Sequence, residues 1–421
     1  MYNLLFATRE GKIYDYPAMA MAGRLGNTWA EPVAAEMIPL PPGATLVMIP
    51  GRHPVGIDNP SGKFRPLREN PGQAKGPVWA VGALLPQGYT RTLLPGFTVA
   101  GKGEPGLPLL GYAAVGMKKG RYYVAALKTD RDHQWNPSRY NTPELPRLVR
   151  ERLAVSPKNR ILKELAKCSL DYGCFTAQNI FYRRFEGGLP VSPACNARCI
   201  GCISLQPAEC CPSPQKRISF TPTIAEITEV AIHHLTASPD AIVSCGQGCE
   251  GEPALRALEI GAAVKAVRAE TKSGTFNINT NGGYPEGISL LCRQGVDSFR
   301  VSLNSALPQV YHAYYRPQGY AFKDVIASIK IAAGSGSDVS LNLLAFPGVS
   351  DREEETNALI NLVRETGVKM IQVRNLNIDP DVYMGILSPA KTQPLGVPGW
   401  LARLKRELPG VEIGNYSRPV R

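Results

Sequence analysis

Cysteine is absent from residues 1–167 and from everything after Cys292, although the chain holds 10 in 421 residues. Nine of them lie between Cys168 and Cys249, gathered in one place rather than scattered as the disulfide staples of a small secreted fold. Histidine is scarce, with 5 residues, and none is close in sequence to the densest cysteine group. No apolar run approaches the ~18 residues of a membrane span. Arg9, Glu10 and Lys12 break up the start too early for a secretory signal. These absences predict a soluble, cytoplasmic chain with no membrane partner, whose crowded cysteines ligate metal in a reducing compartment.

Glycine and proline are plentiful, 41 and 37 of 421 residues, about one in five against roughly 12% in an average protein. So many turn formers exclude long bundles and coiled coils. With 44% apolar residues, the chain is long enough for two or three domains with buried cores. Nearly all of the net charge of +12 sits in the front half. That charge is dispersed, with Lys118, Lys119 and Arg121 as its densest group, which suits a solvated surface better than a phosphate track.

Four segments follow from patterning. Residues 1–141 carry short apolar runs at 44–49, 78–85, 109–115 and 122–127, bounded by turns such as Pro41-Pro42-Gly43, and predict a β-rich N-terminal domain. Residues 142–188 place Leu145, Leu148, Leu153, Ile161, Leu162 and Leu165 at helical spacing, as a helical connector. Residues 189–376 alternate strand and helix, with strands predicted at 189–192, 241–245, 275–280, 298–303, 339–345 and 369–373. Six such units imply parallel pairing through right-handed crossovers. A closed eight-unit barrel takes ~250 residues, so the fold class is α/β, a partial (β/α)6 barrel of TIM type. Residues 377–421 form a C-terminal extension with a helix near 400–408 and a strand near 411–413.

The sequence Cys195-Asn-Ala-Arg-Cys199-Ile-Gly-Cys202 follows the first predicted barrel strand at C-x3-C-x2-C spacing. Three thiolates hold three irons of a [4Fe-4S] cube and leave the fourth open to an outside ligand. A structural zinc ion wants a fourth ligand close in sequence, and none is there.

At this motif the chain resembles the radical S-adenosylmethionine (radical SAM) superfamily, marked by a three-cysteine loop after the first strand of a partial barrel. The resemblance covers about residues 189–376. It implies a [4Fe-4S] cluster on Cys195, Cys199 and Cys202, with S-adenosylmethionine as the second cofactor. After the second strand, Gly248-Cys249-Glu250-Gly251-Glu252-Pro253 resembles the family's Gly-Gly-Glu-Pro motif for the cofactor's methionine amino group, with Glu250 standing for the first glycine. That assigns Gly251 and Glu252 to cofactor binding. Strands three and four put Asn277, Asn279 and Asn281, and Arg300, Ser302 and Asn304, on one polar face each. Alignment with the family assigns Asn279, Ser302 and Asn304 to the cofactor's sugar and carboxylate; a polar plug in the barrel core is the other reading. The segment from Leu344 to Gly348 resembles the family's adenine-contacting turn.

The implied activity is reductive cleavage of S-adenosylmethionine to a 5'-deoxyadenosyl radical that abstracts hydrogen from a substrate. The electron comes from a one-electron reductant such as a flavodoxin or ferredoxin. Diffuse charge favours a protein or peptide substrate over RNA. The alternative, from another class, is an iron–sulfur electron carrier or binding protein that keeps the barrel but does not cleave the cofactor; Gly251-Glu252-Pro253 and the polar strand ends speak against it. Cys168, Cys174, Cys210, Cys211, Cys245 and Cys249 are candidates for a second iron–sulfur cluster or for apolar packing, and Cys292 for helix core. The absence of cysteine after Cys292 removes the C-terminal cysteine-rich extension of many peptide-modifying relatives. The cysteine-free front half removes the cluster domain of the methylthiotransferases. Tyr311, Tyr314 and Tyr315 line the substrate cavity or pack beneath a loop.

Overall fold

The computed structural model describes the chain except for residues 73–74, 102, 108, 131–133, 206–214 and 421. Two compact units emerge: Met1–Arg131 with Ala345–Asn357 and Val373–Glu407, and Asp132–Leu344 with Ala358–Gln372 and Leu408–Arg421.

The first unit is built on an 11-stranded sheet. Asn3–Ala7 pairs antiparallel with Ile13–Met21 and Trp79–Leu84, and Ala113–Lys118 forms a hairpin with Arg121–Lys128. The apolar runs foreseen in the sequence appear as Thr45–Ile49 and these last three strands. Leu5, Ala7, Val81, Ala83, Val115 and Val124 make up its core by alternation. Arg24, Arg52, Arg91 and Arg352 are buried in this unit. Arg52 meets the fully buried Asp379 at 3.0 Å, and Asp379 also accepts the Leu107 amide at 2.8 Å. Arg91 donates to the carbonyls of Leu110, Tyr112 and Leu376, and burial pulls its pKa down to about 9.

The second unit begins with helices α1 (Leu145–Val155), α2 (Arg160–Leu170) and α3 (Phe175–Tyr182). A parallel sheet follows, with strands in chain order across it: β1 (Glu186–Gly188), β2 (Ile242–Cys245), β3 (Thr275–Thr280), β4 (Ser298–Leu303), β5 (Asp338–Ala345), β6 (Met370–Asn375) and β7 (Glu412–Gly414). The crossovers include α4 (Ile224–Leu235), α5 (Ala257–Glu270), α6 (Pro285–Arg293), α7 (Pro308–Tyr315), α8 (Phe322–Gly334) and α9 (Glu353–Thr366). This is the partial (β/α)6 arrangement, with a seventh strand added at its edge from the C-terminal segment. Phe276, Ile278, Phe299, Val301 and Leu303 are fully buried, and the polar residues between them share the opposite face. Across that face Ser244 and Arg300 both donate to Glu186, at 2.7 and 3.0 Å. Asn277 donates to Ser244 and Asn279 at 3.1 and 3.0 Å, and accepts from Ser298 at 2.9 Å. Asn277 is therefore satisfied within the polar plug.

β1 lies before the segment expected from the sequence. The amides of Val191 and Ser192 bond to the carboxylate of Glu250 rather than to a neighbouring strand, so the ladder stops at Gly188.

An acid-sensitive joint links α2 and α4. Thr223 and Glu226 form a capping box at the start of α4, and Arg160 donates its amide, Nε and Nη2 to the Glu226 carboxylate at 2.7–2.9 Å. The Arg160 guanidinium holds Glu226 down to about 2, against 4.5 for a free carboxyl. Because the folded value is depressed, this stabilisation is complete above the unfolded value and disappears as pH falls through the folded one. With Arg160 partly exposed, the pair contributes about 1 kcal/mol after solvent screening. Glu226→Gln should therefore lower stability by about that amount at pH 7 and by nothing measurable near pH 2. Denaturant titrations across that range check it, and a deficit independent of pH contradicts it.

Candidate active site

The cysteine loop follows β1 and is held mainly by neighbouring backbone. Arg198 and Ile200 donate their amides to Tyr315 O and Tyr314 O at 3.0 and 3.1 Å, Gln318 donates to Asn196 O at 2.8 Å, and Ala197 bridges to Pro317. The end of α7 thus forms the back wall of the loop. Tyr311 stacks on Tyr315 with ring centroids 4.5 Å apart, and the Tyr311 and Tyr320 hydroxyls are 3.1 Å apart. Burial pushes all three phenols above their ordinary value. These tyrosines pack behind the loop.

Cys195, Cys199 and Cys202 are half-buried and free of disulfides. They are close enough to repel one another as thiolates. Burial raises Cys195 to about 11, with Glu252 adding to it; Cys199 stands well above the usual thiol range through burial and the charges of Cys202 and Cys195. Arg217 places Nη2 3.7 Å from Cys202 Sγ and donates Nε to Ser204 at 3.1 Å, supplying a positive charge beside the thiols. Among the described residues, no three His, Cys, Asp or Glu side chains gather round one point as ligands of a single ion. Three thiolates spread over three irons of a cube need no such convergence, so the donor set fits a cluster with an open iron.

The Gly251-Glu252 segment runs beside the chain that enters this loop. Gly251 donates its amide to Ser192 O at 2.7 Å, and Glu252 donates to Ala194 O at 2.8 Å. A Cβ on Gly251 would lie 2.0 Å from Ala194 O, so only glycine permits the approach. Glu252 is 3% exposed; it accepts from Thr280 Oγ1 and the amides of Ala254 and Asn281, at 2.5, 3.0 and 2.7 Å. Burial raises its pKa while these donors oppose the rise. A carboxylate has about four acceptor sites, which leaves one for a ligand cation. Asn281 closes the arrangement by donating to Asn196 Oδ1 at 2.7 Å.

Of the remaining assigned residues, Asn279 accepts from Asn277 on the interior face of β3. Ser302 is half-buried in β4, and Asn304 is 2% exposed with Nδ2 3.4 Å from Val310 O. In the Leu344 to Gly348 segment, Pro347 belongs to the first unit, where its carbonyl accepts the Gly26 amide. Cys168, Cys174 and Cys249 lie together, and the thiols of Cys168 and Cys249 interact. Cys245 is enclosed in β2, raised by burial and Glu250. Cys210 and Cys211 lie outside the described residues. A cavity of about 390 Å³ lined by Asn277, Ser298 and Arg300 is a separate feature, and its Lys369 and Arg418 are already paired with Asp338 and Glu412.

Glu250, read from the sequence only as a replaced glycine, is an anchor. Its carboxylate is 4% exposed and accepts four amides: Val191 and Ser192 on one side, Gly246 and Gln247 on the other. The motif thereby ties the end of β1 to the turn after β2. Glu250→Ala leaves those amides buried without an acceptor and should cost about 3–5 kcal/mol in a denaturant titration. Glu250→Gln should fare little better, since its NH2 faces amides that are themselves donors. A glutamine variant within 1 kcal/mol of the parent, roughly the worth of one ordinary hydrogen bond, contradicts this.

Residues 189–360 match the family model described as Radical SAM superfamily. No curated protein matches the sequence. Among solved structures, a radical SAM methyltransferase from Sphaerobacter thermophilus is similar at a TM-score of 0.38 and 15% identity, over 55% of this chain and 65% of that one. The FeFe-hydrogenase maturase HydG from Carboxydothermus hydrogenoformans gives 0.38 and 14%, over 64% and 68%. SuiB of Streptococcus suis bound to S-adenosylmethionine gives 0.34 and 15%, over 51% and 43%. Likeness this distant says nothing of substrate. The family match spans the cysteine loop, the Glu250-Gly251-Glu252-Pro253 turn and strands β2 to β5, and it identifies residues 189–360 as a domain of the radical SAM superfamily.

Proposed function

We propose that Cys195, Cys199 and Cys202 hold a [4Fe-4S] cluster and that Gly251, Glu252, Asn279, Ser302 and Asn304 hold S-adenosylmethionine beside it. The observation that carries this reading is the backbone pairing of Gly251-Glu252 with Ser192 and Ala194, which sets a buried carboxylate within electrostatic reach of Cys195. Held by Cys195, Cys199 and Cys202, a reduced cluster would supply the electron for reductive cleavage of the cofactor's carbon–sulfur bond, the chemistry that makes hydrogen abstraction from a substrate possible.

The chain supplies position and electrostatics. Glu252 offers its remaining acceptor site to the methionine ammonium, a charge-assisted contact. Ser302 and the side chains around it offer hydrogen-bonding groups to ribose and carboxylate. Arg217 offsets thiolate charge, one of the levers that set a cluster's potential. The tyrosines of α7 shield the back of the loop from water. The electron comes from a flavodoxin- or ferredoxin-type donor. Dispersed surface charge favours a protein or peptide as the molecule modified.

Electron paramagnetic resonance of the reduced, iron-loaded protein tests the open iron. Addition of S-adenosylmethionine should change the cluster signal. A signal indifferent to saturating cofactor would refute the reading.

A further inference from the structure

Three thiols outside this site are brought together from distant parts of the chain. Cys168 is in the last turn of α2, Cys174 caps α3, and Cys249 follows β2. The chain doubles back between the first two, with the Cys174 amide donating to Cys168 O at 3.0 Å. The Cys249 side chain interacts with that of Cys168 and lies within electrostatic reach of Cys174. Cys168 and Cys249 are 1% and 5% exposed, whereas Cys174 is half-buried, so the group is open on one side.

A second observation points to a ligand there. Thr176 Oγ1 is 3.2 Å from the Cys174 thiol. A Cβ built on Gly188 would meet Gln247 Cγ at 3.3 Å and Thr176 Oγ1 at 3.5 Å, so the start of α3 and the turn carrying Gln247 and Cys249 are side by side. Gln247 Nε2 is buried with no hydrogen-bond partner among the described residues. Buried amide donors are almost always paired, and sulfide or thiolate sulfur of a cluster is an acceptor of the kind this one lacks. A structural zinc ion requires a closed set of four ligands, and among the described residues none of that kind gathers here.

We propose that Cys168, Cys174 and Cys249 ligate a second iron–sulfur cluster, a cube whose remaining iron is open to a non-protein ligand. It shares no ligand with the Cys195 loop and does not depend on cofactor cleavage there.

The test is metal analysis of the full-length chain reconstituted anaerobically with iron and sulfide. The parent should hold about eight irons, and each of two triple variants, C195A/C199A/C202A and C168A/C174A/C249A, about four. The first variant should keep a reducible cluster whose resonance signal ignores S-adenosylmethionine. C174A, altered at the half-buried position, guards against misfolding in the second and should lose the same four irons while keeping the responsive signal. A folded C195A/C199A/C202A without iron, beside a parent with about four, overturns the second cluster and leaves the first intact. Zinc in place of iron, or a Cys168–Cys249 disulfide in the anaerobically isolated protein, also overturns it. Full iron in C195A/C199A/C202A counts instead against the ligands assigned to the first cluster.

Discussion

Cys199→Ala should strip the chain of about four irons and lower S-adenosylmethionine cleavage by at least about 10³-fold, to background. Two thiolates and an alanine leave a cube with two uncovered irons. Its fold should survive, because the loop is positioned by the amides of Arg198, Ile200 and Gln318 and by the Ala197 to Pro317 bridge rather than by Cys199 Sγ. The metal-free variant should therefore unfold within about 1 kcal/mol of the metal-free parent, as changes away from buried contacts do. Iron content, sulfide content and circular dichroism read these together. Undiminished iron with full cleavage activity contradicts the ligand assignment, and loss of iron accompanied by collapse of the fold contradicts the account of how the loop is held.

Gly251→Ala should damage catalysis without touching a ligand. The added methyl would sit 2.0 Å from Ala194 O, 2.5 Å from Ala194 C and 3.2 Å from Cys195 N. The backbone cannot yield in place, since the hydrogen bonds to Ser192 and Ala194 hold it on both sides of the methyl. The motif and the cysteine loop must separate by about an ångström, and a misplacement of that size costs on the order of 10²-fold in rate. Overpacking adds about 1–3 kcal/mol of destabilisation. The expected pattern is near-normal iron, weaker cofactor binding and cleavage down by about 10²-fold. Gly399→Ala is the control. Gly399 lies in the helix Val397–Glu407, its nearest neighbour to a new Cβ is at 3.8 Å, and alanine there should stabilise by about 0.5–1 kcal/mol. Equal activity in both variants removes Gly251 from the site.

The cysteine loop and the later barrel strands were legible because their signals are local. Spacing of seven residues marks the loop, and alternation of Phe276 and Ile278 with asparagines marks β3. The first strand was misplaced because residues 189–192 look apolar and extended, yet the amides of Val191 and Ser192 go to Glu250, a partner some 60 residues away that no periodicity announces. The same distance hid Glu250's role, since a carboxylate after a strand reads as a solvated turn. Helix α7 was missed because it is short, begins at Pro308 and is rich in tyrosine, a composition that reads as loop lining. In the first unit, Arg52 and Arg91 sit in segments that any sequence reading leaves on the surface; Arg52 is buried because Asp379 reaches it. The grouping of Cys168, Cys174 and Cys249 spans 81 residues and matches no ligand spacing, so only the fold brings it out.

The most direct measurement is 5'-deoxyadenosine by mass spectrometry. The protein is loaded with iron and sulfide without oxygen, reduced with dithionite or a flavodoxin system, and given S-adenosylmethionine with a cell extract as substrate source. The nucleoside should accumulate in the parent and be absent with Cys199→Ala. A parent with full iron that forms none contradicts the central claim and leaves an iron–sulfur protein on a radical SAM barrel that does not cleave its cofactor.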